Sequence, residues 1–223
     1  MLKKIFPLLC MLGAVLFTPT AMAIEEPSYD VLQASGAFEI RRYAPMLVAE
    51  TVVEGDMDEA SNKGFRLIAD FIFGNNQIPG SDERAKIAMT VPVTVEPQSS
   101  RIAMTAPVTV EPLADDANSI SARQWRIHFV MPRAYSLQDI PKPRNEAVRL
   151  REVPAKYFVV HTYSWLNTAS RVHQKTLETL QWAQDRSLKV LGAPQLARYD
   201  PPWTPPMFKR NEIMVEIAPE GLQ

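Results

Sequence analysis

Apolar and polar residues alternate along Ser28 to Leu32, Phe38 to Tyr43 and Met46 to Val53, which predicts three strands joined by turns at Ser35-Gly36 and Ala44-Pro45. The period then changes. Gly55-Asp56 opens a helix that runs to about Phe73, where Gly74-Asn75-Asn76 supplies residues that tolerate a left-handed cap. A period of two returns at Lys86 to Pro97 and, beyond a low-complexity connection at Ala114 to Ala122, at Trp125 to Met131. The second half of the chain repeats the plan, with an aromatic strand at Pro154 to Trp165 and an amphipathic helix from Asn167 to about Lys189. Strands at Gln195 to Tyr199 and Glu212 to Ile217 close it. An offset of 109 places Pro45 on Pro154 and Asp58-Glu59-Ala60-Ser61 on Asn167-Thr168-Ala169-Ser170. Two strand-helix-strand halves predict an α+β domain with pseudo-twofold symmetry.

The first helix carries more apolar surface than packing on a sheet requires. Ala60, Gly64, Leu67, Ile68 and Phe71 form one stripe, and Phe65, Ala69, Ile72 and Phe73 extend it around the cylinder. A helix lying on a sheet needs an apolar arc of somewhat over about 100°, and this arc is roughly twice that. Either a neighbouring loop or a flat hydrophobic ligand has to cover the excess. The segment Tyr199 to Arg210 has the composition of such a partner. Four prolines pre-set its backbone, Trp203, Met207 and Phe208 offer apolar contacts, and Lys209 and Arg210 stand beside them as cations. That set suits a planar amphiphile with carboxylate edges.

Lys86-Ile87-Ala88-Met89-Thr90-Val91-Pro92-Val93 recurs fifteen residues later as Arg101-Ile102-Ala103-Met104-Thr105-Ala106-Pro107-Val108. Each copy reads as a half-buried strand ended by proline. The pair is a tandem duplication expected to form an extra hairpin through Gln98-Ser99-Ser100, and either copy can supply the strand of the fold. The phrase resembles the I-x-M-T-x-P-V signature of the SOUL haem-binding family. Tyr199-Asp200-Pro201-Pro202-Trp203 followed by Arg210-Asn211-Glu212 is similar to that family's other recurrent phrase. The resemblance runs from about Tyr29 to Ile217. It implies a single domain built as a pseudo-twofold distorted β-barrel of antiparallel strands flanked by two α-helices. It also implies reversible, non-covalent binding of haem or a related tetrapyrrole between the first helix and the late loop, with Phe65, Arg66, Ala69, Ile72 and Phe73 facing Trp203, Met207, Phe208, Lys209 and Arg210.

The start of the chain changes the expected compartment. Lys3 and Lys4, the apolar run Ile5 to Phe17 and Ala21-Met22-Ala23 stand in the order of a secretory leader, so residues 1–23 are expected to be removed and residues 24–223 to reach the periplasm or exterior. The apolar run is too short for a span, and no later one is long enough. Cys10 leaves with the leader, which removes disulfide and thiolate chemistry from the mature chain. The chain has 24 basic and 25 acidic residues and the leader holds two of the bases, a formal charge of −3 that gives no case for nucleic acid. A C-x-x-C-H attachment motif is absent, and of the three histidines His173 and His161 are only weak candidates for an axial ligand. Glu39, Glu50 and Glu54 read as solvent-facing, and no motif of an enzyme is found. The expectation is therefore a non-enzymatic haem carrier or buffer. The alternatives are a general binding module for hydrophobic amphiphiles, or a hydrolase of small esters using the same groove.

Overall fold

The structure is a computed structural model and describes residues 24–97 and 124–220. The expected leader, the second copy of the repeat, the expected hairpin loop and the low-complexity connection lie outside the described residues. Nine strands make one curled antiparallel sheet, a half-barrel in the order β1-β2-β9-β11-β10-β5-β6-β3-β8. They are β1 Tyr29–Ser35, β2 Phe38–Tyr43, β3 Met46–Glu54, β5 Val93–Pro97, β6 Gln124–Val130, β8 Arg149–Val153, β9 Lys156–Tyr163, β10 Gln195–Arg198 and β11 Asn211–Ile217. A separate two-stranded ribbon joins β4, Asn76–Gln77, to β7, Lys142–Pro143. The helices are α1, Met57–Ile72, and α2, Ala169–Asp185, and no described helix is long and apolar enough to cross a membrane.

The twofold repeat is visible in the strand order. β5 and β10 pair at the centre, and β8-β3-β6-β5 on one side corresponds to β2-β9-β11-β10 on the other. β3 leads into α1 as β9 leads into α2. The caps correct the offset from 109 to 112, since Asp56 and Thr168 occupy equivalent positions. Asp56 accepts from Glu59 N at 2.8 Å and Thr168 from Arg171 N at 3.3 Å. Asp58 and Glu59 complement the positive end of α1, whereas the first turn of α2 has no acidic residue.

The first copy of the repeat supplies β5, and its upstream half runs alongside α1. Ile87 N donates to Ile72 O at 2.9 Å, and the Thr90 hydroxyl donates to Val130 O. This passage explains much of the apolar excess on α1. Ala69, Phe71 and Ile72 are buried, and Ile87, Ile140 and Val148 join Phe71 and Ile72 in the main core. Only Phe65 and Phe73 remain exposed among the aromatic residues of that arc. A second core forms under α2, where Trp182 stacks on Phe38 at 5.3 Å above Ile40, Val159 and Ile217.

One residue sets how closely α1 approaches the sheet. A Cβ on Gly64 would lie 2.3 Å from Ile127 Cγ1 and 2.8 Å from its Cβ, both near the stem of a fully buried side chain. Helix propensity alone favours Gly64→Ala by about 1 kcal/mol. The clash outweighs it, because overpacking a dense core costs about 1–3 kcal/mol. Gly64→Ala is therefore expected to lower the urea midpoint. An unchanged or raised midpoint would mean that α1 is held less tightly to β6 than the structure has it.

Candidate ligand-binding surface

The proline-rich segment between β10 and β11 is anchored at its base. Tyr199 N donates to Arg210 O at 3.3 Å, Arg210 N to Asp200 Oδ2 at 2.6 Å, and a 3-10 turn at Pro206–Phe208 closes the loop. Beneath it lies Glu212, fully buried, which accepts from Arg41, Tyr199 and Arg210 at 3.1, 2.6 and 2.9 Å. Arg210 also reaches Glu26 at 3.0 Å and lies 3.8 Å over the Tyr199 ring. Burial first, and then the charge of Glu212, hold the Tyr199 hydroxyl protonated far above its ordinary range.

This anchoring corrects the expected role of the two cations. Arg210 is committed to Glu212 and Glu26, and Lys209 Nζ turns back onto Pro201 O and Pro202 O at 3.0 and 3.3 Å. What the loop presents outward is apolar: Trp203 is 83% exposed, Phe208 74% and Met207 52%.

The sequence reading missed the neighbour of that surface. Trp165 adopts φ 93°, a left-handed conformation that for a bulky residue costs about 1–3 kcal/mol and persists only where its surroundings impose it. Its N–H donates to Pro206 O and its carbonyl accepts from Asn211 Nδ2, both at 2.9 Å. The clamp fixes the Trp165 backbone beside the late loop, and its side chain, with that of Leu166, is nearly half exposed.

Asn211 belongs to a row of paired residues that crosses five strands: Tyr163, Asn211, Arg198, Val93 and Phe129. Phe65 of α1 closes its far end, with its ring 5.5 Å from that of Phe129. Arg198 sits in the middle. One terminal nitrogen reaches Asp58 Oδ1 of α1 at 3.1 Å, while its Nε is shut off from water and has no hydrogen-bond partner. Burial raises the pKa of Tyr163 beyond its ordinary range, against the charges of Arg198 and Arg171, so two guanidinium groups converge on this end of the sheet.

The structure brings together only part of the expected groove. The first turn of α1, through Asp58, approaches β10, and Phe65 lies over the same row. Arg66 is exposed one residue further on. Ala69 and Ile72 are buried core and offer a ligand nothing. Phe73 is exposed but stands fifteen residues beyond Asp58, about 22 Å along the helix axis. Burial of Ala69 and Ile72 and the distance of Phe73 along the helix thus correct the reading of these three as a wall facing the late loop.

The histidines are placed as follows. His161 is buried under α2, its ring 4.1 Å from that of Phe38, with Nδ1 3.4 Å from Thr179 Oγ1. His173 is half-buried on α2. His128 points to the other face of the sheet, into a lattice of alternating charge in which Glu50 is 2.9 Å from Arg151 and 3.7 Å from Arg126, and Lys156 is 2.6 Å from Glu216. Glu50 therefore belongs to a paired network and not to a solvated face. Among the described residues, a cavity of about 140 Å³ lies beside Glu25, Met46, Met131 and Tyr135, and one of about 10 Å³ between Met57, Trp125, Val172 and Leu196. Both fall short of the roughly 300 Å³ at which small-molecule pockets begin.

A family model described as SOUL heme-binding protein matches residues 24–101 and 95–216. No curated protein matches the chain. Among solved structures, the EcmrR C-terminal domain is similar with a TM-score of 0.55 at 11% identity over 85% of this chain and 98% of that one. A hydrolase from Listeria innocua is similar with a TM-score of 0.51 at 12% identity over 81% and 91%. An uncharacterized conserved protein from the same organism gives a TM-score of 0.53 at 12% identity over 81% and 92%. At such identities these likenesses are of fold alone.

The charged lattice generates a prediction of its own. Burial, and next the charge of Arg151, push the His128 imidazole from 6.5 down to about 4. Between those values the unfolded chain binds a proton that the folded chain does not, so stability is lost as pH falls through the window. The loss is on the order of 3 kcal/mol for this group. Burial of His161 acts in the same sense, whereas Glu96, raised chiefly by burial, acts in the opposite one. Urea unfolding of the parent and of His128→Gln at pH 7 and pH 4.5 should show a shallower acid loss in the variant. Parallel losses would mean that His128 protonates freely in the folded state.

Proposed function

Because the chain belongs to the SOUL heme-binding protein family, we propose that it binds haem or a related tetrapyrrole reversibly and without covalent attachment, as an exported carrier or buffer. The observation that carries this reading is the aromatic surface at one end of the sheet. Trp165, Leu166, Trp203, Met207 and Phe208 are all at least 45% exposed, and their backbone is anchored by the hydrogen bonds of Trp165 and by the proline-rich loop. A soluble protein that holds large apolar side chains out in water does so for something that covers them. Covering them removes apolar area from water at about 25 cal/mol per Å², and a rigid platform loses little entropy when it is covered.

The residues present fit a tetrapyrrole by its ring and its acidic edge. Aromatic and thioether side chains pack a flat conjugated face, and the Arg198 guanidinium, with its orphaned Nε, can donate to a carboxylate. What haem adds when bound is its iron, whose chemistry the axial ligands set. His161 is packed beneath α2, so binding here rests on the ring and the propionates. Release is then governed by how readily water re-enters the open surface, which suits a carrier. The order of charged, apolar and small residues in 1–23 supports the reading of that carrier as periplasmic or secreted.

Titration of the mature protein with haemin and with metal-free protoporphyrin, followed at the Soret band, tests this reading. Metal-free protoporphyrin is expected to bind within about tenfold of haemin, a difference of about 1.4 kcal/mol. Failure of both to bind would refute the assignment. A far larger preference for haemin, lost in His173→Ala or His161→Ala, would mean that iron coordination dominates.

A further inference from the structure

We propose that Arg198 is the carboxylate-binding cation of this surface and that Asp58 is the internal competitor that the ligand displaces; the proposal rests on the tetrapyrrole reading above. A planar ligand with acidic edges needs a base at the border of the aromatic patch. The two bases that follow Phe208 are spent, Lys209 on Pro201 O and Pro202 O and Arg210 on Glu212 and Glu26. Arg198 is held differently. Its ion pair with Asp58 is 3.1 Å long, and the Asp58 side chain is 68% exposed, so the pair lies where water screens it and contributes little. The Nε, by contrast, is removed from water with no acceptor, a condition that is costly for a group carrying charge.

Those two facts concern the same edge of one guanidinium. A carboxylate binds arginine side-on through Nε and one terminal nitrogen, in two parallel hydrogen bonds. Here the terminal nitrogen is lent to an exposed aspartate that water can take over, and the Nε is waiting. Exchanging Asp58 for a ligand carboxylate returns Asp58 to solvent and satisfies Nε. The place in the sheet is also right. Arg198 pairs with Asn211, whose side chain holds the Trp165 carbonyl, and with Val93, which leads to Phe129 and Phe65. The cation therefore stands between two aromatic groups. Arg171, half-buried in the first turn of α2 with no acidic residue beside it in that turn, adds positive potential at the same end. The ligand class is a planar aromatic molecule with free carboxylates, and the acid is recognised apart from the ring.

The experiment compares protoporphyrin with its dimethyl ester, which has the same ring and no free carboxylate, on the mature parent, Arg198→Gln and Asp58→Asn. Arg198→Gln is expected to weaken protoporphyrin about tenfold and to leave the ester unchanged. Asp58→Asn, an exposed change that leaves the core alone, is expected to strengthen protoporphyrin several-fold with the ester again unchanged. A merely structural role for Arg198 would move acid and ester together. Arg198→Gln binding protoporphyrin as the parent does, or Asp58→Asn weakening it, overturns the proposal. A parent that binds ester and acid equally overturns it while tetrapyrrole binding stands, and a parent that binds neither overturns both.

Discussion

Glu212 is the constraint on which the rest of the molecule depends. A carboxylate with no solvent contact must be matched in place. Arg41 from β2, Arg210 and Tyr199 all turn toward it, with Tyr43 and Glu39 completing the shell around Arg41. Removing one partner from such an arrangement leaves a buried charge unpaired, at about 3–5 kcal/mol. The network ties β2 to β11 across β9, and through Arg210 and Glu26 it ties the N-terminal segment to the late loop. It explains why that loop is rigid at its base, and why the bases nearest its aromatic residues are not the ones a ligand can use.

From this follows a division between the two faces of the sheet. One face carries both helices and the two cores beneath them. The other carries charge, Arg41 with Glu212 and the lattice of Glu50, Arg126, Arg151, Lys156 and Glu216 around His128, set among two smaller apolar clusters at Phe158 and Val48. The end of the sheet where the late loop, Trp165 and the first turn of α1 meet satisfies neither rule completely. It keeps apolar side chains in water, a strained tryptophan and an arginine nitrogen without a partner. Local conflicts of this kind concentrate where a fold meets its ligand.

Much of the architecture was legible in the sequence, because strands and helices announce themselves by period and cap. β2 was read to the residue, and α1 and α2 differ from expectation only at their ends. β8 was missed: Arg149–Val153 interleaves charge with its apolar positions, as an edge strand does, and so gave no clear alternation. The apolar excess of α1 was real, but a ligand was not needed to cover most of it, since the chain around Ile87 does so. For the site, the aromatic loop was legible from composition and the fate of its cations was not. That Arg210 turns inward depends on Glu212 two residues on, and an acidic residue inside Asn211–Ile217 was the available signal. Arg198 could not be found from sequence, because its partner Asp58 is 140 residues away and its neighbours follow from register.

On the function proposed above, the ligand lies on the end of the sheet marked by Trp165, Trp203 and Arg198, outside both helices' cores. The protein has four tryptophans, two displayed there and two, Trp125 and Trp182, buried. Nitrogen-15 spectra of the four indole N–H groups, recorded as metal-free protoporphyrin is added, distinguish the alternatives most directly. The Trp165 and Trp203 resonances are expected to move or broaden in step with binding while those of Trp125 and Trp182 stay in place. Binding that shifts Trp125 or Trp182 and leaves Trp165 and Trp203 untouched would contradict that placement.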